Sequence, residues 1–168
     1  STMLKLAIDL SQRDGVEFLI TKIPVPEIII ANAGITLSSE VGRTSKEDRD
    51  SLYYLLSGGV IDLLEDLVPK MKKERRGRIV IVSSIGALTP MRKSSLYASA
   101  KVAIARYGDS LAQELRGTGI QVTVSLPGYV RTDAHNRAGL GHLNTQIPNW
   151  MWLTPEQTVT ETERASLR

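Results

Sequence analysis

The chain has 168 residues, 42% of them hydrophobic and 23% charged, the mixture of a soluble globular domain with one core of ordinary size. With no cysteine, a disulfide scaffold and a thiolate metal site are both excluded, and no metal site is expected. Much of the net charge of +3 comes from KMKKERRGR (70–78), which reads as a solvated helix end favoured by the helix dipole, with an anion or nucleic-acid patch as the alternative.

In chain order, LKLAI (4–8) reads as a strand and 11–22 as a short helix capped by Ser11 and Asp14. EIIIA (27–31) reads as a second strand, apolar throughout as a strand buried on both faces is. A long helix is expected from about 45 to 75, with Thr44 and Glu47 spaced as a capping box, Gly58 and Gly59 interrupting it and Gly77 ending it. RIVIVS (78–83) is the clearest strand. Another helix is expected from about 95 to 116, its buried stripe formed by Tyr97, Ala100, Ile104, Tyr107, Leu111 and Leu115 and its stop by Gly117. IQVTVSL (120–126) reads as a fourth strand closed by Pro127 and Gly128. Residues 129–153 show no clear period, and TPEQ (154–157) opens a last helix with Thr154 as N-cap, Pro155 at N1 and Gln157 at N3.

This alternation of short β-branched runs with longer helical segments is what a parallel α/β sheet produces. Its most apolar segments are too short or too charged to span a bilayer: IPVPEIIIANAGI is 13 residues. Lys5 and Asp9 break up the first apolar stretch, so no signal-peptide pattern opens the chain and a cytoplasmic location is expected.

In an open parallel sheet, ligands lie outside the carboxyl ends of the strands. The residues to inspect are therefore Asp9 with Leu10, then Asn32, Ala33 and Gly34, then Ser83 and Ser84, then Pro127 and Gly128. Asp9 could accept a hydrogen bond from an amino group, or act only as a turn residue. The bare backbone at Gly34 could let a flat or phosphorylated ligand come close. Tyr97 and Lys101 are four apart and share a helix face. An ammonium about 5 Å from a phenolate attracts it by roughly 3 kcal/mol at an effective dielectric of about 20, enough to bring a phenol of pKa about 10 down toward physiological pH. By spacing alone an ordinary surface pair is the alternative. Ser84, at a strand end beside this helix, could hold a carbonyl or alcohol oxygen for Tyr97 to protonate or deprotonate.

Four short motifs, ANAG (31–34), SSIG (83–86), YASAK (97–101) and PGYVRT (127–132), together resemble those of the short-chain dehydrogenase/reductase family, in that family's order and spacing over about residues 4–155. The resemblance implies a Rossmann-type doubly wound parallel sheet and an oxidoreductase that moves a hydride between NAD or NADP, with NADP slightly preferred, and a carbonyl or alcohol substrate. It implies Tyr97 as acid/base, Lys101 as the group that lowers the tyrosine pKa and binds the nicotinamide ribose, and Ser84 as donor to the substrate oxygen. On the cofactor it places Asp9 and Leu10 near the adenine, Asn32, Ala33 and Gly34 along the adenosine side, and Pro127, Gly128, Val130 and Thr132 at the nicotinamide end. PNWMWL (148–153) would cover the substrate side, with Trp150 and Trp152 as an apolar lid over a hydrophobic or bulky substrate. The whole of 1–168 is expected to be one dinucleotide-binding domain, 129–168 being its lid segment and last helix. Pairing of two or four copies through the two long helices is expected, with neither nucleic acid nor membrane as partner.

Two departures accompany the matches. Leu56 stands where the family usually has an asparagine that relays protons to the lysine. The family's opening strand and glycine-rich TGxxxGxG turn are absent from this sequence, as is a final strand after the last helix. The chain is therefore expected to be a partial view of a longer protein, with 4–8 lacking a neighbour strand and the edge of 27–31 left apolar and open. A non-catalytic relative that acts through helix pairing is the alternative these departures support.

Overall fold

The computed structural model describes residues 3–132, 141 and 143–167. Its elements are α1 (Arg13–Lys22), β1 (Ile28–Ala31), α2 (Lys46–Tyr53), a π-helical turn (Tyr54–Gly58), α3 (Gly59–Glu74), β2 (Gly77–Val82), α4 (Ser95–Glu114), β3 (Ile120–Ser125), β4 (Tyr129–Val130), α5 (Leu143–Gln146), β5 (Trp152–Leu153) and α6 (Pro155–Ser166). Strands β1, β2 and β3 form a parallel sheet in that order, with Ile29 opposite Ile79 and Ile81 opposite Val124. Each crossover is helical, as parallel neighbours require.

Alternation along the strands divides the sheet into two unequal faces. Ile29, Ile79, Ile81 and Ile120 join Leu64, Leu67, Val68 and Met71 of α3 and Ile104, Leu111 and Leu115 around α4 in one buried cluster. The opposite face is covered over β2 and β3 by α6, whose Thr162 hydroxyl lies 2.8 Å from that of Ser125. Over β1 that face is bare: Ile30 is 65% exposed. Strand 28–31 is thus apolar throughout but buried at Ile29 alone, which corrects its reading as a strand covered on both sides.

Other expectations are corrected too. Residues 4–8 form no strand, because a strand needs a ladder partner and none of the described strands lies beside them. Helix α1 starts from Gln12 without a side-chain cap; the Ser11 hydroxyl instead donates to Asp9 Oδ1 at 2.7 Å. The long helix is capped one residue later than expected. Ser45 accepts from the Asp48 amide at 3.0 Å, while the Thr44 hydroxyl donates to Ser39 at 2.8 Å.

Gly58 and Gly59 do not interrupt that helix. Gly58 closes the π turn, Gly59 begins α3, and both let the Tyr54 ring lie against the backbone, where a methyl on Gly58 would come within 3.0 Å of Tyr54 Cδ2. The Tyr54 hydroxyl donates to Asp62 at 2.8 Å, Asp62 also receives Arg13 at 2.8 Å, and burial beside that carboxylate pushes the phenol up to about 12. The helix stops at Arg75, whose φ of 53° breaks the spiral, and Gly77 is already the first residue of β2. Thr154 caps α6 as read, with its hydroxyl accepting from the Gln157 amide and the Gln157 side chain accepting from the Thr154 amide. Among the described residues no helix is long and apolar enough to cross a membrane, and no group of three or more His, Asp or Glu could hold a metal ion.

Helix α4 approaches the sheet most closely at Gly108, where a Cβ would fall 2.5 Å from Val124 Cγ2 and 3.0 Å from Ile81 Cδ1. Alanine gains about 1 kcal/mol of helix propensity, but overpacking a β-branched neighbour costs about 1–3 kcal/mol. Gly108→Ala is therefore expected to lower stability by about 1–2 kcal/mol in urea unfolding. A variant as stable as the parent would show that the helix can move off the sheet freely.

Candidate active site

The carboxyl ends of the three strands carry the motifs. After β1 come Asn32, Ala33 and Gly34, after β2 come Ser83 and Ser84, and after β3 come Pro127 and Gly128, with Tyr97 and Lys101 on the first two turns of α4. What brings them together is a set of cross-links at the end of β2. The Ser83 hydroxyl donates to the Lys101 carbonyl oxygen at 2.8 Å, and Lys101 Nζ donates to the Val82 carbonyl oxygen at 2.9 Å. The Ser83 amide donates to Ser125 O at 2.8 Å and the Ile85 amide to Pro127 O at 2.9 Å. Strand β2, helix α4 and the turn after β3 are thereby fixed to one another.

Lys101 is 6% exposed. Leucines enclose its surroundings: a methyl on Gly34 would come within 3.2 Å of Leu56 Cδ2 and 3.9 Å of Lys101 Nζ. Leu56 is buried with Leu52 and Ala100, and Leu37, Leu96 and Tyr97 pack against that cluster. This low-polarity setting disfavours the ammonium and brings Lys101 down to about 8. Its Nζ lies 5.9 Å from the centroid of the Tyr97 ring.

Tyr97 is half-buried, with the Ser84 side chain beside it. Burial raises its pKa, and the Ser84 hydroxyl offsets part of that rise. The expectation that Lys101 lowers the phenol is thus corrected for the chain itself. Burial leads the shift, and the Lys101 ammonium donates to the Val82 carbonyl oxygen. Ser84 also accepts from the Gly86 amide at 3.1 Å, which orients its hydroxyl over the short helical turn 85–87.

The other predicted residues are placed less centrally. Asn32, Ala33 and Gly34 are exposed, Gly34 alone bordering Lys101, and Gly128 has open space around its α-carbon. Pro127 and Val130 are half-buried and Thr132 is exposed. Asp9 is exposed and turned onto Ser11, whose hydroxyl and amide hold its carboxyl below the usual range; Leu10 beside it is half-buried. Trp150 is 82% exposed, whereas Trp152 is buried, with its ring 5.5 Å from that of Tyr129, under the Arg131 guanidinium, and donating to Ile147 O at 3.2 Å. Trp152 therefore anchors the β4–β5 ladder, and its part in a lid would be indirect. The residue that sequence reasoning left without a role is Ser83. Its only signal is a hydroxyl at the last position of an apolar strand, facing the helix.

A tyrosine, a serine and a buried lysine thus lie together at the carboxyl edge of a parallel sheet. Residues 2–141 match the short chain dehydrogenase family, to which the chain belongs. It is 31% identical over 120 residues to a 3-oxoacyl-[acyl-carrier-protein] reductase of Thermotoga maritima, covering 71% of this chain and 49% of that protein. It is 27% identical over 137 residues to a 3-ketodihydrosphingosine reductase of Bacteroides thetaiotaomicron, covering 82% and 51%. The chain thus spans about half the length of the curated relatives it matches. A short-chain dehydrogenase from Sphingobium yanoikuyae in complex with NADPH superposes with a TM-score of 0.77 at 26% identity, over 95% of this chain and 61% of that one. A 4-hydroxyisoleucine dehydrogenase complexed with NADH gives 0.84 at 20% identity, over 96% and 72%, a likeness of fold.

The burial of Lys101 has a pH signature. The folded chain gives up the Lys101 proton near 8, whereas the unfolded chain holds it to an ordinary 10.5, so between these values the unfolded state binds more protons and stability rises with pH. Urea unfolding at increasing pH from about 8 to about 9, below the range in which unfolded tyrosines ionise, should show that rise, and Lys101→Met should remove it. An unchanged slope in Lys101→Met would show that the ammonium is solvated.

Proposed function

We propose that the protein transfers a hydride between a nicotinamide dinucleotide and a carbonyl or alcohol, with Tyr97 as the proton donor and acceptor. The observation that carries this reading is the convergence of the Ser84 and Tyr97 hydroxyls beside a buried Lys101. A substrate oxygen placed between them would receive two donors at once. Tyr97 held protonated by burial is the form that donates, which suits reduction of a carbonyl. Lys101, once charged, would attract the phenolate that remains.

The residues present fit the nicotinamide end of a dinucleotide. Gly34 and Gly128 leave backbone uncovered on either side of the site, and Lys101 Nζ, with one hydrogen bond to Val82 O among the described residues, keeps donors for a ribose hydroxyl. Asn32, Ala33, Gly34, Pro127, Gly128, Val130 and Thr132 would hold the group, with Asp9 and Leu10 toward its adenine. When bound, that group supplies or accepts the hydride. The solved relatives bind NADPH, NADP or NADH, so NAD(P) is the class assigned here. A keto group is named in the substrates of two relatives, and the exposed Trp150 and Met151 support an apolar body attached to it. Residues 129–168 are read as covering the substrate side, and the two long helices, with Tyr53 and Val102 exposed, as a face for pairing copies.

A second reading, a non-catalytic module, is favoured by one observation: Leu56 is 2% exposed and fills the space beside Lys101 with hydrocarbon. Substrate-dependent change in reduced-nicotinamide absorbance separates the two. On the oxidoreductase reading Tyr97→Phe loses about 100-fold or more of kcat/KM, the scale of one acid/base group. Full activity in Tyr97→Phe would remove the assigned mechanism, and absence of any turnover or dinucleotide binding in the full-length protein would favour the second reading.

A further inference from the structure

The loop between Ser84 and Tyr97 contributes a side chain to the site that the reading above does not use. Gly86 is buried, and a methyl placed on it would meet Met91 Cε at 2.8 Å, Tyr97 Cε1 at 3.4 Å and Ser84 Oγ at 3.5 Å. The three atoms leave less than a methyl's room over the glycine, so the Met91 methyl fills that hollow beside the two hydroxyl-bearing side chains. Met91 is itself only half-buried, leaving part of it facing outward.

Its position is imposed from both sides. Lys93 has a φ of 62°, a left-handed conformation that costs a non-glycine residue about 1–2 kcal/mol. That turn is held by the Ser39 amide, which donates to Lys93 O at 2.8 Å, and by Lys93 Nζ on Glu40 at 3.0 Å. The Ser94 amide closes the turn onto Met91 O at 3.3 Å. A strap from the loop after β1 thus fixes the residue that overhangs the reacting oxygen's place, and Leu88 and Ile35, both exposed apolar residues of these two loops, extend its character outward.

We propose that Met91 is a specificity-determining residue: its side chain walls the substrate on the Gly86 side and sets the size of the apolar group accepted next to the carbonyl. This rests on the oxidoreductase reading, with Ser84 and Tyr97 holding the substrate oxygen. An unbranched thioether suits the place because it fills an irregular gap and yields to different shapes.

The test is the ratio of kcat/KM for acetophenone to that for acetone in the full-length protein. Met91→Ala enlarges the hollow and should raise the ratio about tenfold or more, and Met91→Phe fills it and should lower the ratio by a similar factor, as a hydrophobic pocket discriminates by about tenfold or more per group. The signs are opposite, so either variant that folds decides alone. Normal turnover with a ratio unchanged within about twofold overturns this proposal and leaves the oxidoreductase reading intact. No turnover of either ketone by the parent protein overturns that reading and this proposal with it.

Discussion

Everything at the carboxyl edge of the sheet depends on placing one ammonium group inside the protein. Taking Lys101 out of water carries a large desolvation penalty, which burial next to leucine carbons does nothing to offset. The compensation is local: Val82, the last paired residue of β2, offers its carbonyl oxygen at 2.9 Å. The Ser83 hydroxyl, one residue on, holds the Lys101 backbone from the other direction at 2.8 Å. Two adjacent residues of a strand thus fix both ends of one lysine, and the register between β2 and α4 follows from that double tie. Because Tyr97 is one turn earlier on the same helix, its distance from Ser84 is set at the same time.

The same burial explains why the two titrating groups shift as they do. A Coulomb argument from spacing puts the charged pair ahead by roughly 3 kcal/mol and lowers the phenol. In the folded chain each group instead moves toward its neutral form, Lys101 down and Tyr97 up, with desolvation as the leading cause for both. The attraction depends on where Nζ points and on both groups being ionised together, whereas the penalty falls on each group separately. Spacing along a helix fixes neither direction nor depth.

That contrast marks what could be read from residues alone. The Thr154–Gln157 cap was legible because all its atoms lie within four residues, and the strands of residues 77–82 and 120–125 were legible because their apolar runs are long and bounded by turns. The first long helix was legible in extent but not in detail: Thr44 and Ser45 are chemically similar candidates for its cap, and the Thr44 hydroxyl is taken by Ser39 of the preceding loop. Gly58 and Gly59 looked like a break, since their use is to admit the Tyr54 ring, and nothing in the local pattern announces a π turn. Residues 4–8 have strand composition without a strand beside them. The four motifs gave the site's membership, but Ser83's cross-link and the overhang of Met91 arise from packing between elements distant in sequence.

Leu56 shows how a single apolar side chain redirects the chemistry of such a site. Its Cδ2 lies 3.2 Å from where a methyl on Gly34 would fall, a point 3.9 Å from Lys101 Nζ. Hydrocarbon there neither donates nor accepts, so on the proposed function Leu56 itself would carry no proton leaving the phenol. On the proposed function, the open face at Gly34 and Gly128 would be the side of the substrate, and proton exchange would run through that face rather than through Leu56. A dry rear wall also keeps the local dielectric low, which is the condition that holds Tyr97 protonated, so the leucine that closes one path strengthens the acid that would use the other.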